Sequence, residues 1–452
     1  MIDRAHLARL LDDERRRFAS HNPRSQGAYE AAVNLFGRVP MTWMNKRAGG
    51  FPLYLATARG ARVTDLDGHT YVDLCLGDTG AMAGHSPPAV VEAVRRRVAD
   101  DGGLTAMMPT QDAAWVGAEL ARRFGVPYWS FALTATDANR WAIRLARALT
   151  GRPRVAFHSY CYHGSVDESL IVLDVDGRPR SREGNVGAPY DVLATSRVVE
   201  FNDLDGLAAE LAHGDVAAFV MEPALTNIGI VLPEPGYLDG VRELTRAHGT
   251  LWIVDETHTF SAGPGGATGR WGLTPDVLTI GKAIAGGVPI GAYGLSADLA
   301  DTALGRADLD LVDMGGVGGT LAGNPVSMAA ARACLGEVLT EEAFASMTAV
   351  TTRLAGGLRE EIAAAGLPWS VSQLGARVEY RFADPAPRNG TQSEAAADPD
   401  LDDYLHVYAA NRGVLLTPFH NMALTCPDTT ESDVDAYRDV FRSAIASLVQ
   451  RG

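Results

Sequence analysis

Leu251-Trp252-Ile253-Val254-Asp255-Glu256, followed by Val277-Leu278-Thr279-Ile280-Gly281-Lys282-Ala283-Ile284-Ala285-Gly286-Gly287, is the stretch on which the reading of this chain turns. Two short apolar runs end in charge, the first in paired acids and the second in a lone lysine 27 positions after Asp255. Runs of this length, bounded by turn residues, read as strands of a parallel sheet buried on both faces. Open α/β sheets bind ligands at the carboxyl ends of their strands, which is where both charges fall.

A strand-terminal carboxylate and a strand-terminal amine suit pyridoxal phosphate. The lysine can form a Schiff base while the carboxylate keeps the pyridine nitrogen protonated and the ring electron-withdrawing. Lys46 and Lys282 are the only lysines in a chain that otherwise takes its positive charge from arginine. Two rival readings fail on their loops. A nucleoside triphosphatase also ends an apolar strand in Asp-Glu, but here Gly281-Lys282 is followed by Ala283 rather than Ser or Thr, with Asp276 at the leading glycine position. Gly263-Pro264-Gly265-Gly266 approaches a dinucleotide fingerprint, but Thr268 occupies its last glycine position.

The rest of the composition narrows the class. With 46% hydrophobic and 21% charged residues and 48 glycines, the chain reads as a soluble α/β protein with many tight turns rather than a disordered one. A formal charge of −15 argues against nucleic acid or an anionic membrane as partner and leaves a small molecule. Cys75, Cys161, Cys334 and Cys426 are scattered without paired spacing, so neither a disulfide framework nor a metal site is expected, and a cytoplasmic location is. Leu7, Leu10, Leu11 and Phe18 among charged residues predict an amphipathic N-terminal helix, not a signal peptide, and no apolar run is long enough to span a membrane.

Taken in order, residues 62–74 alternate about Asp67-Gly68 as a hairpin, and Val90, Val91, Val94 and Val98 mark a helix. From about Trp129, apolar strands alternate with amphipathic helices, the pattern of a mostly parallel sheet covered on both faces. Trp129–Leu133 reads as a strand and Asn139–Leu149 as a helix, leaving Thr134-Ala135-Thr136-Asp137-Ala138 as a turn; beside the lysine motif that turn reads as a phosphate cup. Residues 172–198 and 384–403 read as long surface insertions. The expected division is 1–75 as an arm and part of a small domain, 76–328 as the large cofactor-binding domain, and 329–452 as the C-terminal small domain.

Asp65-Leu66-Asp67-Gly68, Gly84-His85, Tyr162-His163-Gly164, Glu222-Pro223, Asp255-Glu256, Gly281-Lys282, and Gly319-Thr320 with Gly323-Asn324-Pro325 occur in the order of one family. From about residue 25 onward the chain resembles the class III aminotransferases of fold type I, which include amine and ω-amino acid transaminases and glutamate-1-semialdehyde aminomutase. The resemblance implies an α/β fold with a large, mostly parallel-sheet domain and a smaller α/β domain built from the N- and C-terminal segments. It implies pyridoxal 5'-phosphate, alternating with pyridoxamine phosphate, as cofactor. Lys282 matches the Schiff-base lysine, Asp255 the partner of the ring nitrogen and Tyr162 the stacking aromatic. Ala135 and Thr136 match the phosphate turn, Thr320 a threonine that reaches the neighbouring subunit's phosphate in homodimers, and Glu222, Asn227 and Thr257 positions around the ring.

The sequence departs from the pattern in places. The phosphate turn usually reads Ser-Gly-Thr-Glu and here reads Thr134-Ala135-Thr136-Asp137, and Thr257 replaces a usual Val. Where β-amino acid members carry carboxylate-binding arginines, this chain has Trp43 and Phe419, which become the expected substrate contacts together with Tyr162. The expected activity is therefore transamination, with Lys282 linked to the cofactor, from an amine or ω/β-amino acid to a keto acid or aldehyde. The intramolecular aminomutase reaction is the alternative.

Overall fold

The computed structural model describes residues 2–309 and 316–449. They form two compact units, one comprising Pro87–Phe344 with Pro387–Ala395, the other the residues up to Ser86, Ala345–Ala386 and Ala396 onward.

The larger unit is built on a seven-stranded sheet whose strands are β1 Tyr128–Ala132, β2 Arg154–His158, β3 Ser196–Val199, β4 Val216–Met221, β5 Leu251–Asp255, β6 Val277–Gly281 and β7 Gly291–Leu295. They lie in the order β1-β7-β6-β5-β4-β2-β3. β7 runs antiparallel to both of its neighbours, and the other pairings are parallel. The sheet is thus mostly parallel, as expected. All six residues of β4 are buried, as its unbroken apolar sequence Val-Ala-Ala-Phe-Val-Met requires of a strand covered on both faces. Phe219 of this strand belongs to one core with Phe157, Trp252, Leu207 and Leu211. Each such fully buried side chain contributes about 1.5–3 kcal/mol.

The parallel register of β5 and β6 sets Asp255 beside Thr279, so the two functional stretches end at the same edge of the sheet. The helix Ala135–Thr150 follows β1 and begins four residues earlier than the sequence pattern indicates. Thr134 is its N-cap, accepting a hydrogen bond from the Asp137 amide at 3.1 Å, so the expected turn is the first turn of the helix. Arg140 and Arg144 face solvent, while Arg147 pairs with Glu168. The large unit continues past residue 328 because the helix Pro325–Ala333 packs against the helices Pro88–Arg95 and Gln111–Phe124.

In the smaller unit the hairpin forms as expected, Arg62–Asp65 against Thr70–Asp73, and Val414–Leu415 adds to it in parallel, joining N- and C-terminal segments in one sheet. A second sheet pairs Ser370–Leu374, Arg377–Arg381 and Met422–Leu424. The helix Arg4–His21 buries Leu7, Leu11 and Phe18, as its periodicity requires.

The stretch 384–403 is not a plain surface insertion. Within the large unit Arg388 makes a paired salt bridge to Glu234, Thr391 donates to Glu200, and Ser393 donates to the Ile228 carbonyl. Pro399 opens the helix Pro399–Ala410, whose Leu401 is buried in the smaller unit.

Candidate active site

At the end of β5 the Asp255 carboxylate is buried and carries a full set of donors. His163 Nδ1 donates to its Oδ2 at 2.9 Å and Asn139 Nδ2 to the same oxygen at 2.8 Å, while the Thr257 amide donates to Oδ1 at 3.0 Å. Asn139 is fixed in turn by the Thr279 hydroxyl, which donates to its Oδ1 at 2.6 Å. Burial alone would raise Asp255, but the hydrogen bond and charge of His163, with Thr257 and Asn139, hold it down at about 2. Burial alone would lower His163; Cys161 and the Asp255 carboxylate carry it well above the ordinary imidazole value. A permanently ionised carboxylate thus stands at a strand end, braced from behind by a helix residue and a charged ring.

Lys282 follows β6 directly. Its backbone lies in the left-handed region at φ 50°, a conformation costly for a residue with a Cβ and one concentrated at functional sites. Its Nζ is 2.9 Å from His258 Nε2. Gly281 and Gly291 let β6 and β7 press against the start of the helix Ala135–Thr150. A Cβ at Gly281 would fall 3.0 Å from Ala135 Cβ, and one at Gly291 2.1 Å from the Thr134 carbonyl oxygen. The opening turn of that helix, with its unpaired backbone amides, is held beside the lysine in this way. On its other side a Cβ at Gly164 would lie 2.0 Å from Thr136 Oγ1, and the Ser165 amide donates to that hydroxyl at 3.3 Å.

Lys282, Asp255, Thr257, Ala135 and Thr136 therefore gather at one end of the large sheet. Tyr162, between buried Cys161 and buried His163, is 41% exposed and directed out of the core. Glu222 lies just past β4, accepting from the Thr226 hydroxyl, and Asn227 Nδ2 donates to the Tyr160 carbonyl at 3.4 Å. Thr320 is exposed, on the loop leading to the helix Pro325–Ala333. In the smaller unit Trp43 and Phe419 meet edge to face, centroids 6.2 Å apart, in a pocket of about 370 Å³ that Met44, Leu53, Leu55, Pro418 and Arg47 also line.

Three residues of this site carry no role in the sequence reading: Asn139, His163 and His258. Asn139 had a usable signal, since a polar residue between Ala138 and Trp141 on a helix's inward face asks for a buried partner. His163 stood in the Tyr162-His163-Gly164 motif, and His258 had no signal beyond its nearness to Asp255.

The residues suit pyridoxal phosphate: a buried ionised carboxylate for a ring nitrogen, an amine for a carbonyl, and a helix N-terminus packed through glycines for a dianion. Comparison with known proteins supports the same family. The family described as Aminotransferase class-III matches residues 43–441. The chain is similar to a structure of a glutamate-1-semialdehyde-aminomutase from Pseudomonas aeruginosa, with 47% identity, 99% of each chain covered and a TM-score of 0.95. A variant of that protein is described in complex with PMP. Glutamate-1-semialdehyde 2,1-aminomutase of Chloroflexus aggregans is 34% identical over 88% of this chain and 92% of its own. An omega-transaminase structure from Sphaerobacter thermophilus is 29% identical, covering 94% of this chain and 97% of its own with a TM-score of 0.85. The chain belongs to the class III aminotransferases.

Proposed function

We propose that this protein binds pyridoxal phosphate and moves an amino group, and that it does so first as an intramolecular aminomutase. The observation that carries the chemistry is the placing of the Lys282 amine and the ionised Asp255 carboxylate at the ends of adjacent parallel strands beside a helix N-terminus. When bound, the cofactor supplies a protonated ring that draws electrons from the carbon bearing the transferred nitrogen. Asp255, held by His163, Asn139 and the Thr257 amide, keeps that charge paired. The opening turn at Ala135 and Thr136 anchors the phosphate, Tyr162 covers the ring, and Glu222 and Asn227 border it. Lys282 holds the cofactor and, once released, carries a proton at Nζ, a task that arginine could not perform because it does not give up its proton.

The motifs ranked transamination first. The aminomutase reading takes precedence because the relatives bearing that name are more similar, at 47% identity over 99% of the chain against 29% for the omega-transaminase. Transamination of apolar amines stays as the second reading on one observation, the Trp43–Phe419 pocket, where aromatic area rather than a pair of arginines faces the cavity. The deciding experiment supplies glutamate 1-semialdehyde with no second carbonyl compound. An aminomutase converts it completely to the isomer with the amino group shifted by one carbon. A transaminase, for which the aldehyde of one molecule can accept the nitrogen of another, releases the diamino and dicarbonyl products instead of that isomer, and makes alanine from pyruvate when given an arylalkyl amine. Activity in neither assay overturns both readings.

The assembly that fits is a homodimer, with Thr320 of the partner subunit completing each phosphate site. Cytoplasmic residence is supported by four free, buried cysteines. Among the described residues no helix is long and apolar enough to cross a membrane.

A further inference from the structure

We propose that Arg47 determines the specificity of the Trp43–Phe419 pocket by gripping the carboxylate of a short, unbranched substrate. This rests on the reading of that pocket as the one that takes the substrate. The pocket lies wholly within the smaller unit, and Arg47 is the one arginine or lysine among the described residues that line it. Its guanidinium is partly buried and little used. Of five N–H donors one is engaged, Nη1 to the Leu416 carbonyl at 3.3 Å, and no carboxylate among the described residues pairs with it. Other arginines of the smaller unit are committed: Arg412 grips Glu14 through both terminal nitrogens, Arg15 reaches Asp403 at 2.7 Å and Arg62 reaches Asp433 at 2.6 Å. Two acids that line the pocket have donors of their own. Asp73 accepts from His85 Nε2 at 2.7 Å and from the Cys75 amide at 2.9 Å, and Asp65 from the Tyr71 hydroxyl at 2.8 Å. The backbone under Arg47 is pinned. Its amide donates to the Asn45 carbonyl at 2.8 Å, the Gly50 amide donates to its carbonyl at 3.0 Å, and Arg15 Nε donates to the Ala48 carbonyl at 2.9 Å. Gly49 seats this turn on buried Phe18, since a Cβ there would fall 2.3 Å from the Phe18 ring. The base of the side chain is therefore fixed before a ligand arrives, and only the head has to be ordered.

The class of ligand follows from this arrangement. A guanidinium takes a carboxylate through two parallel N–H bonds, while Trp43 and Phe419 offer apolar area to the methylenes that join that carboxylate to the reacting end. His406, buried beside Arg47, is lowered to about 4 by burial first and then by the Arg47 charge, so it adds no second cation. One anchor suits an aminomutase. In glutamate 1-semialdehyde two methylenes separate the carboxylate from the carbon that bears nitrogen, and the nitrogen then shifts to the next carbon. A lone guanidinium on an unbranched side chain can follow the carboxylate as the substrate moves by one bond, which a rigid pair of arginines would oppose.

The test uses 4-oxopentanoate and 4-oxopentanamide, which share a ketone and two methylenes and differ in the charge at the end. Neither brings an amine to the pyridoxal phosphate form of the full-length protein, so calorimetry reads binding without turnover. The parent should bind the acid at least about tenfold more tightly than the amide. Arg47→Gln should weaken the acid roughly ten- to a hundredfold and the amide less than about twofold, and Arg47→Lys, a point charge without the fork, should recover part of the loss. The thermal midpoint shows whether each variant is folded; where Arg47→Gln is not, Arg47→Lys alone must weaken the acid against the amide. A parent that binds neither probe or shows no preference, or a preference that survives in Arg47→Gln, overturns the inference. Turnover separates it from the reading on which it rests. If glutamate 1-semialdehyde is left unreacted while the parent still selects the acid through Arg47, the aminomutase reading fails and the carboxylate site stands.

Discussion

Asp255 shows what a single residue must satisfy here. Its carboxylate is buried against a protonated His163, so each charge is tolerable only because of the other. Asp255→Asn keeps the shape and removes the charge, leaving His163 buried without a counter-ion. The expected cost is roughly 3–5 kcal/mol, read as a fall in the thermal midpoint together with weaker cofactor retention. The pH dependence has two limbs. Asp255 is lowered from 3.8 to about 2, so its contribution of about 2 kcal/mol is present above pH ~4 and lost as pH falls towards 2. His163 is raised above 6.5, so its contribution is complete below 6.5 and lost only as pH climbs through its raised value. Chemical denaturation between pH 2 and 5 should show a shallower acid limb in Asp255→Asn than in the parent, the remainder belonging to other lowered carboxylates such as Asp215 and Glu361. Asp255 and Lys282 were legible in the sequence because each ends an apolar run, and a run's end is a local property. Asn139 and His163 were not, because their roles come from side chains that meet across 116 and 92 residues of chain.

Among the elements, the helix start at Ala135 depends most on backbone approach. The sequence marked Thr134–Ala138 as both a possible cap and a phosphate cup, and the two readings describe one object, since the capped first turn presents the free amides. What periodicity could not convey is how closely Gly164, Gly281 and Gly291 bring other strands and loops to that turn, because a glycine in sequence looks the same at a crowded position and an open one. Gly164 has φ 79° and sits against Thr136, whereas Gly125, the helix C-cap at φ 70°, faces open space. Alanine at Gly125 carries only the backbone penalty, about 1 kcal/mol. Alanine at Gly164 adds a Cβ 2.0 Å from Thr136 Oγ1 and should displace the turn. We expect Gly164→Ala to weaken pyridoxal phosphate affinity at least about tenfold, a 1.4 kcal/mol effect, with Gly125→Ala near the parent. Equal affinities in a fluorescence titration would disconnect this turn from the phosphate. The stretch 384–403 escaped the sequence reading for a related reason: its Gly, Pro and Asp content describes a chain without regular structure, but not the partners Glu200, Asn202, Ile228 and Glu234 that hold it.

At the scale of the whole molecule, short stretches of the described chain expose large apolar side chains. In the smaller unit Val33, Phe36 and Met41 are 70%, 89% and 53% exposed; in the larger, Met107 and Met108 are 92% and 71% exposed. Such side chains are the ones that the proposed homodimer would bury. The sharper question is whether each site borrows from its neighbour, and Thr320, exposed and remote in sequence from the phosphate turn, is the residue to ask. Lys282→Ala and Thr320→Ala chains, each impaired alone, are co-expressed with different tags, and the mixed dimer is isolated. If Thr320 serves the partner's phosphate, the Thr320→Ala chain keeps its own Lys282 and receives an intact Thr320 from the other chain. One site per mixed dimer is then wholly intact, and half the parent activity and one high-affinity cofactor site return. The other site combines both defects and stays silent. If Thr320 serves its own chain, or no phosphate at all, no site in the mixed dimer is relieved of its defect. Cofactor titration then shows only the affinities of the Lys282→Ala and Thr320→Ala homodimers, and the shared-site proposal is lost while the chemistry assigned to Lys282 and Asp255 is untouched.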